Sequence, residues 1–206
     1  MSTTTIRHDT TERHIAKYNN PNPLHRLSLG RFHAALASEL GALAPRSILD
    51  FGCGEAFTLD ELARLGIDVE NYEGVDLRAD ALDAARARWP ELRFSCADIL
   101  DTAFDGKRYD VTLALEVMEH LYEPGRVLKR LVELTEKALV ISVPHEPWFQ
   151  LVNLMRGRDF IRLGNHPEHV QHWNSQTFAD FISPYAEVVS IRRSFPFILA
   201  TARPRR

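Results

Sequence analysis

The run Ser47-Ile48-Leu49-Asp50-Phe51-Gly52-Cys53-Gly54-Glu55-Ala56 constrains this chain more than any other. Ser47 to Asp50 reads as a short buried strand that ends in a carboxylate. A glycine turn follows, then a helix pattern with apolar Phe57, Leu59, Leu62, Ala63 and Leu65 at mixed three- and four-residue spacing. Strand, glycine loop and helix in this order open an α/β nucleotide site. Glycines without a Cβ reach positive φ and let a ligand lie against the backbone.

The charges around the turn indicate which ligand. A dinucleotide loop reads GxGxxG, but Phe57 stands at the third glycine position. The turn carries two acids, Asp50 and Glu55, and neither Lys nor Arg. Such a loop repels phosphate and attracts a cation. The residues resemble the E/DxGxG turn of class I S-adenosylmethionine-dependent methyltransferases. The cofactor of that family has no phosphate and carries a sulfonium and an ammonium. The family's usual third glycine falls at Ala56, which leaves less room near the loop. The resemblance implies that Asp50, Gly52 and Gly54 contact S-adenosyl-L-methionine.

The 206 residues suffice for one domain with a full core. A hydrophobic fraction of 45% and a charged fraction of 26% are those of an ordinary globular chain. The net charge of -3 gives no strong pull toward nucleic acid. Cys53 and Cys96 make neither a disulfide framework nor a zinc knuckle, so both are expected as reduced thiols in a cytoplasmic protein. No apolar run is long enough to cross a bilayer, so no membrane partner is expected.

Residues 1–23 read as a polar N-terminal segment, and 24–206 as a single domain. Pro23 starts a helix whose apolar stripe is Leu29, Phe32, Leu36, Leu40 and Leu43. The resemblance makes this region a lid over the cofactor, with Tyr18 as a contact; the helix itself reads as a plain packing helix. Strands are predicted at Tyr72 to Asp76, Leu92 to Cys96, Tyr109 to Leu115 and Ala138 to Val143. Helices are predicted after Asp76 and from Pro124 to Ala138, and a helix capped by Ser175 follows later. A hairpin, Ala186 to Arg192 and Phe195 to Ala202, ends the chain. The expected fold is α/β: a seven-stranded, mostly parallel, doubly wound, Rossmann-like sheet with an antiparallel C-terminal hairpin. A His-rich insert at about 147–174, with a helix over 147–158, interrupts the repeat.

Asp76 follows Gly54 by close to the ~20 residues expected of a ribose-binding acid, and Leu77 beside it is placed to pack on adenine. The resemblance adds Asp98 for the adenine amino group and Ile99 for a backbone contact. Glu116-Val117-Met118-Glu119-His120 follows the fourth strand. If that turn is helical, Glu116, Glu119 and His120 share a face that can hold a divalent ion. ExxEH with a later His resembles metal-dependent small-RNA 2′-O-methyltransferases and ubiquinone-type O-methyltransferases; by position the distal ligand is His169. The same motif occurs in metal-free relatives, where the first Glu borders the cofactor and the His lines the acceptor pocket. Without a metal, His120 is the first candidate base and His145 the second. Trp148, Phe149 and Trp173 are candidate walls of an apolar acceptor pocket, or core of the insert. The reading is an S-adenosylmethionine-dependent methyltransferase acting on a hydroxyl of a small molecule or glycan. Alternatives are a metal-dependent RNA 2′-O-methyltransferase and a cofactor-binding partner subunit without turnover.

Overall fold

The computed structural model describes residues 22–145 and 171–205. Tyr18, Trp148, Phe149, His169 and the helix expected over 147–158 lie outside them. In order, the elements are α1 (Pro23–Leu43), β1 (Ile48–Phe51), α2 (Phe57–Arg64), β2 (Tyr72–Asp76), α3 (Ala79–Arg88) and β3 (Arg93–Cys96). Then come β4 (Tyr109–Leu115), α4 (Pro124–Leu134), β5 (Thr135–Pro144), α5 (Ser175–Ile182), β6 (Ala186–Ser194) and β7 (Phe197–Pro204). One seven-stranded sheet runs β3-β2-β1-β4-β5-β7-β6. The first five strands in that order are parallel; β7 is antiparallel to β5 and to β6.

Alternation of side chains explains the two layers. Ile48, Tyr72, Val111, Leu113 and Val140 face α1, α2 and α3, whose Phe32, Leu36, Leu40, Leu59, Leu62 and Leu82 close that core. Leu49, Val75, Ile141, Val143 and Ile198 face α4 and α5, through Val127, Leu128, Leu131, Leu134, Phe178 and Ile182. The expected stripe on α1 is buried at Phe32, Leu36 and Leu40, while Leu29 and Leu43 are only half-buried at its ends. Successive strands from β1 go first to β2 and β3, then across to β4 on the other side. The crevice at the carboxyl ends of β1 and β4 is the place where such sheets bind ligands.

Several boundaries differ from the sequence reading, and two of them have a visible cause. The helix expected to reach Ala138 stops at Leu134, and β5 begins at Thr135. The Thr135 hydroxyl donates to the Leu131 carbonyl at 2.6 Å, closing the last turn while its own backbone is already extended. The cap of α5 is Asn174 rather than Ser175. Its Oδ1 accepts from the N–H groups of Gln176 and Thr177 at 2.9 and 3.0 Å, and the Thr177 hydroxyl accepts from the Asn174 N–H.

Candidate active site

Asp50 pairs in register with Gly74, so Asp50, Tyr72 and Asp76 share one face of the sheet. The Tyr72 hydroxyl donates to Asp50 Oδ2 at 2.6 Å. Burial pushes the Asp50 carboxyl up to about 7; the Tyr72 hydrogen bond opposes the shift, and the charge of Asp76 adds to it. The two acids therefore lie on one face, close enough for each to feel the other's charge.

Asp76 is aimed by the backbone. The N–H groups of Gly54 and Arg78 donate to its Oδ2 and Oδ1, each at 2.9 Å. The Arg78 guanidinium lies 3.6 Å from Asp76 Oδ1 and 3.4 Å from Glu55 Oε1. One largely buried cation thus stands between two of the acids. The sequence reading missed Arg78; its signal was the position two residues past the strand-ending acid, where the chain turns back over the tip.

Gly52 and Gly54 have φ values of 78° and 53°. At Gly52 a Cβ would run into the Val117 side chain, so the bare backbone lets the turn after β4 close over the loop. Ala56 adopts φ 60°, the left-handed conformation that a glycine holds without strain. Its methyl is buried in the core beneath α1. Cys53 lies between the glycines; burial, then the charges of Asp50 and Asp76, pushes its thiol up, so it stays protonated and unreactive.

Past β3, Asp98 Oδ1 accepts the Leu100 N–H at 3.0 Å. The Ile99 side chain is fully buried, and Arg130 of α4 donates to the Ile99 carbonyl at 3.3 Å. Leu77 is exposed beside Asp76.

The turn after β4 is not the helix that would align Glu116 with Glu119 and His120. Glu116 has φ 58°, and only Met118–His120 is helical, as a single 3-10 turn. Ser142 of β5 donates its hydroxyl to Glu116 Oε1 at 2.9 Å. Glu119 is buried, with Oε1 4.0 Å from Nε2 of the partly exposed His120. Among the described residues no three His, Cys, Asp or Glu side chains form a group that could hold a metal ion.

His145 ends β5. Its N–H donates to the Pro196 carbonyl at 2.8 Å, and its backbone bridges to Trp173. Burial, then the charge of Arg193, holds its imidazole below the usual histidine range. The Gln171 N–H donates to the Glu119 carbonyl at 3.2 Å. Residues 171–173 therefore tie the turn after β4 to the tip of β5, along one rim with His120 and His145. Trp173 packs with Phe178 and Phe181 at ring distances of 5.5 and 5.2 Å, which places it in the core against α5.

This sheet order, with acids at the tips of β1 and β2 around a glycine turn, is the architecture of a class I methyltransferase domain. The chain belongs to the methyltransferase-domain family, whose match covers residues 24–183. It is 30% identical over 119 residues to a ubiquinone biosynthesis O-methyltransferase of Serratia proteamaculans, covering 55% of this chain and 48% of that one. It is 33% identical over 132 residues to a magnesium-protoporphyrin O-methyltransferase of Rhodobacter capsulatus, covering 61% and 57%. The chain spans about half the length of the curated relatives it matches. Among solved structures, the magnesium protoporphyrin IX methyltransferase of Synechocystis PCC 6803 superposes with a TM-score of 0.68 at 18% identity, over 94% of this chain and 93% of that one. At that identity the likeness is one of fold. No helix among the described residues is long and apolar enough to cross a membrane.

Proposed function

We propose that this chain transfers the methyl group of S-adenosyl-L-methionine to a hydroxyl of a small molecule. The observation that carries the reading is the placement of Asp50 and Asp76 on one face at neighbouring strand tips, with the Gly54 N–H fixing the second acid. Asp76 retains acceptor capacity for ribose hydroxyls, and Asp50 faces the place where a cationic methionine portion fits. Leu77, Asp98, Ile99 and Glu116 border the adenine and methionine ends. S-adenosyl-L-methionine supplies a methyl already activated by its sulfonium. The protein has to align the acceptor and take its proton.

His145 receives that second task ahead of His120. A buried imidazole held neutral accepts a proton at neutral pH, and the Pro196 and Trp173 contacts fix its backbone. The hydroxyl acceptor is supported by the O-methyltransferases among the relatives. A divalent ion on Glu116, Glu119, His120 and His169 is less favoured, because Ser142 already holds one Glu116 oxygen and Glu119 is buried. The free thiols of Cys53 and Cys96 suit a cytoplasmic setting. Calorimetric titration with S-adenosylhomocysteine tests the cofactor half; the expected result is binding that Asp76→Ala weakens. Absence of binding to the wild-type chain refutes the reading.

A further inference from the structure

The rim of the site is electrically divided. Asp50, Glu55, Asp76 and Glu116 cluster at the tips of β1, β2 and β4. The tips of β5 and β6 present His145 and Arg193 instead. Arg193 pairs with Ile198, and Ile198 with Val143, two residues before His145. Arg193 and His145 therefore lie on the same face at the same end of the sheet, with β7 between their strands, close enough for the guanidinium to lower the proton affinity of the imidazole.

Arg193 is not absorbed by the fold. It is exposed, and its Nε donates to the hydroxyl of Ser175 at 3.1 Å. No carboxylate among the described residues forms an ion pair with it. Its neighbour Arg192 differs: Arg192 Nε sits 2.6 Å from Oε1 of Glu39 on α1. A solubilising arginine on an edge strand points freely to water. Arg193 is instead held through Nε by Ser175, and among the described residues no hydrogen bond or ion pair uses its two terminal amino groups. Arginine in this setting reads planar oxyacids through paired hydrogen bonds.

We propose that Arg193 is a specificity-determining residue that binds an anionic oxyacid group, carboxylate or phosphate, on the acceptor, beside the hydroxyl presented to His145. The inference rests on the acceptor reading above and narrows it to hydroxy acids. The cationic cofactor and the anionic acceptor then sort themselves onto opposite halves of one rim before any contact is made.

The test uses matched probes, 3-hydroxybenzoate and its methyl ester, titrated calorimetrically into the full chain saturated with S-adenosylhomocysteine. One charge-assisted contact predicts that the acid binds about tenfold tighter than the ester. Arg193→Gln removes the preference by weakening the acid alone, and Arg193→Lys restores part of it. A phosphorylated phenol bearing a second hydroxyl, run in parallel, distinguishes carboxylate from phosphate as the preferred group. Equal affinities in the wild type, a preference for the ester, no binding of either probe at millimolar concentration, or equal loss of both in Arg193→Gln overturns the proposal. Failure of S-adenosylhomocysteine itself to bind overturns the methyltransferase reading instead, so the two failures are separable.

Discussion

Replacing Asp50 by asparagine isolates the electrostatic strain of the site. The carboxyl is buried, and its pKa rises from 3.8 to about 7. A folded-state value above the unfolded one means that the folded chain binds the proton more tightly. The resulting stability is fully present below the unfolded value and is lost as pH rises through about 7. At 1.36 kcal/mol per pH unit, the wild type loses about 3 kcal/mol between pH 5 and 8 on account of this group alone. The amide keeps an oxygen for the Tyr72 hydroxyl and has no charge to desolvate. Urea unfolding at pH 5, 6, 7 and 8 gives the free-energy difference between the two proteins. The expected result is that Asp50→Asn becomes more stable relative to wild type with each step toward pH 8, with the gain levelling near pH 7. Parallel pH curves for the two proteins would refute the claim that Asp50 is buried beside Asp76 without a compensating cation.

Three further substitutions probe other links. Ala56→Gly relieves about 1–2 kcal/mol of left-handed strain, but loses roughly 0.8 kcal/mol of methyl burial and adds unfolded-state entropy, so stability in urea should stay within about 1 kcal/mol of wild type. A loss of several kcal/mol would show that the methyl, and not the turn, governs this position. Asn174→Ala removes both cap bonds of α5 and should lower stability by about 1 kcal/mol in thermal unfolding, with no change in affinity for S-adenosylhomocysteine. For His145, the methylation rate should hold steady as pH falls through 6.5 and drop only below it, because the imidazole is held below the usual range. His145→Ala should lower the rate by about 10²–10⁴ and remove that acidic limb; an unchanged profile moves the proton-accepting role elsewhere.

The fold was legible because its signals are local. The buried strands Tyr72–Asp76 and Tyr109–Leu115 have no competing pattern, and their ends coincide with the sequence expectation. The glycine turn and the Asp76 spacing were legible for the same reason. What was not legible depends on partners far along the chain. Thr135 ends α4 with its hydroxyl and also meets the Thr112 hydroxyl of β4; only the second contact, between strands, explains why β5 begins so early. The turn after β4 reads as helix by spacing. Yet Ser142 holds the backbone and carboxylate of Glu116, and Gly52 admits Val117, so the turn follows its neighbours and not its own periodicity. The bridge from His145 to Trp173 joins residues separated by the whole insert, and no pattern in either stretch announces it.

Arg78 changes how the acidic turn should be understood. From the sequence, Asp50 and Glu55 looked like a bare negative cradle. In the fold, Arg78 answers Glu55 and Asp76, two backbone N–H groups answer Asp76, and a proton with the Tyr72 hydroxyl answers Asp50. Glu55 and Asp76 thus share one cation, while Asp50 depends on a proton and a hydroxyl. These devices are not equally easy to displace. Arg78 is covalently part of the chain and largely buried, so it stays; the proton on Asp50, whose carboxyl is pushed up to about 7, can leave near neutral pH. A cation placed beside Asp50 would therefore take over its compensation and leave the Asp76 geometry undisturbed. The division suits the proposed cofactor, with its neutral ribose and positively charged amino-acid portion: the acid aimed by backbone would meet the hydroxyls and the acid charged on demand would meet the cation.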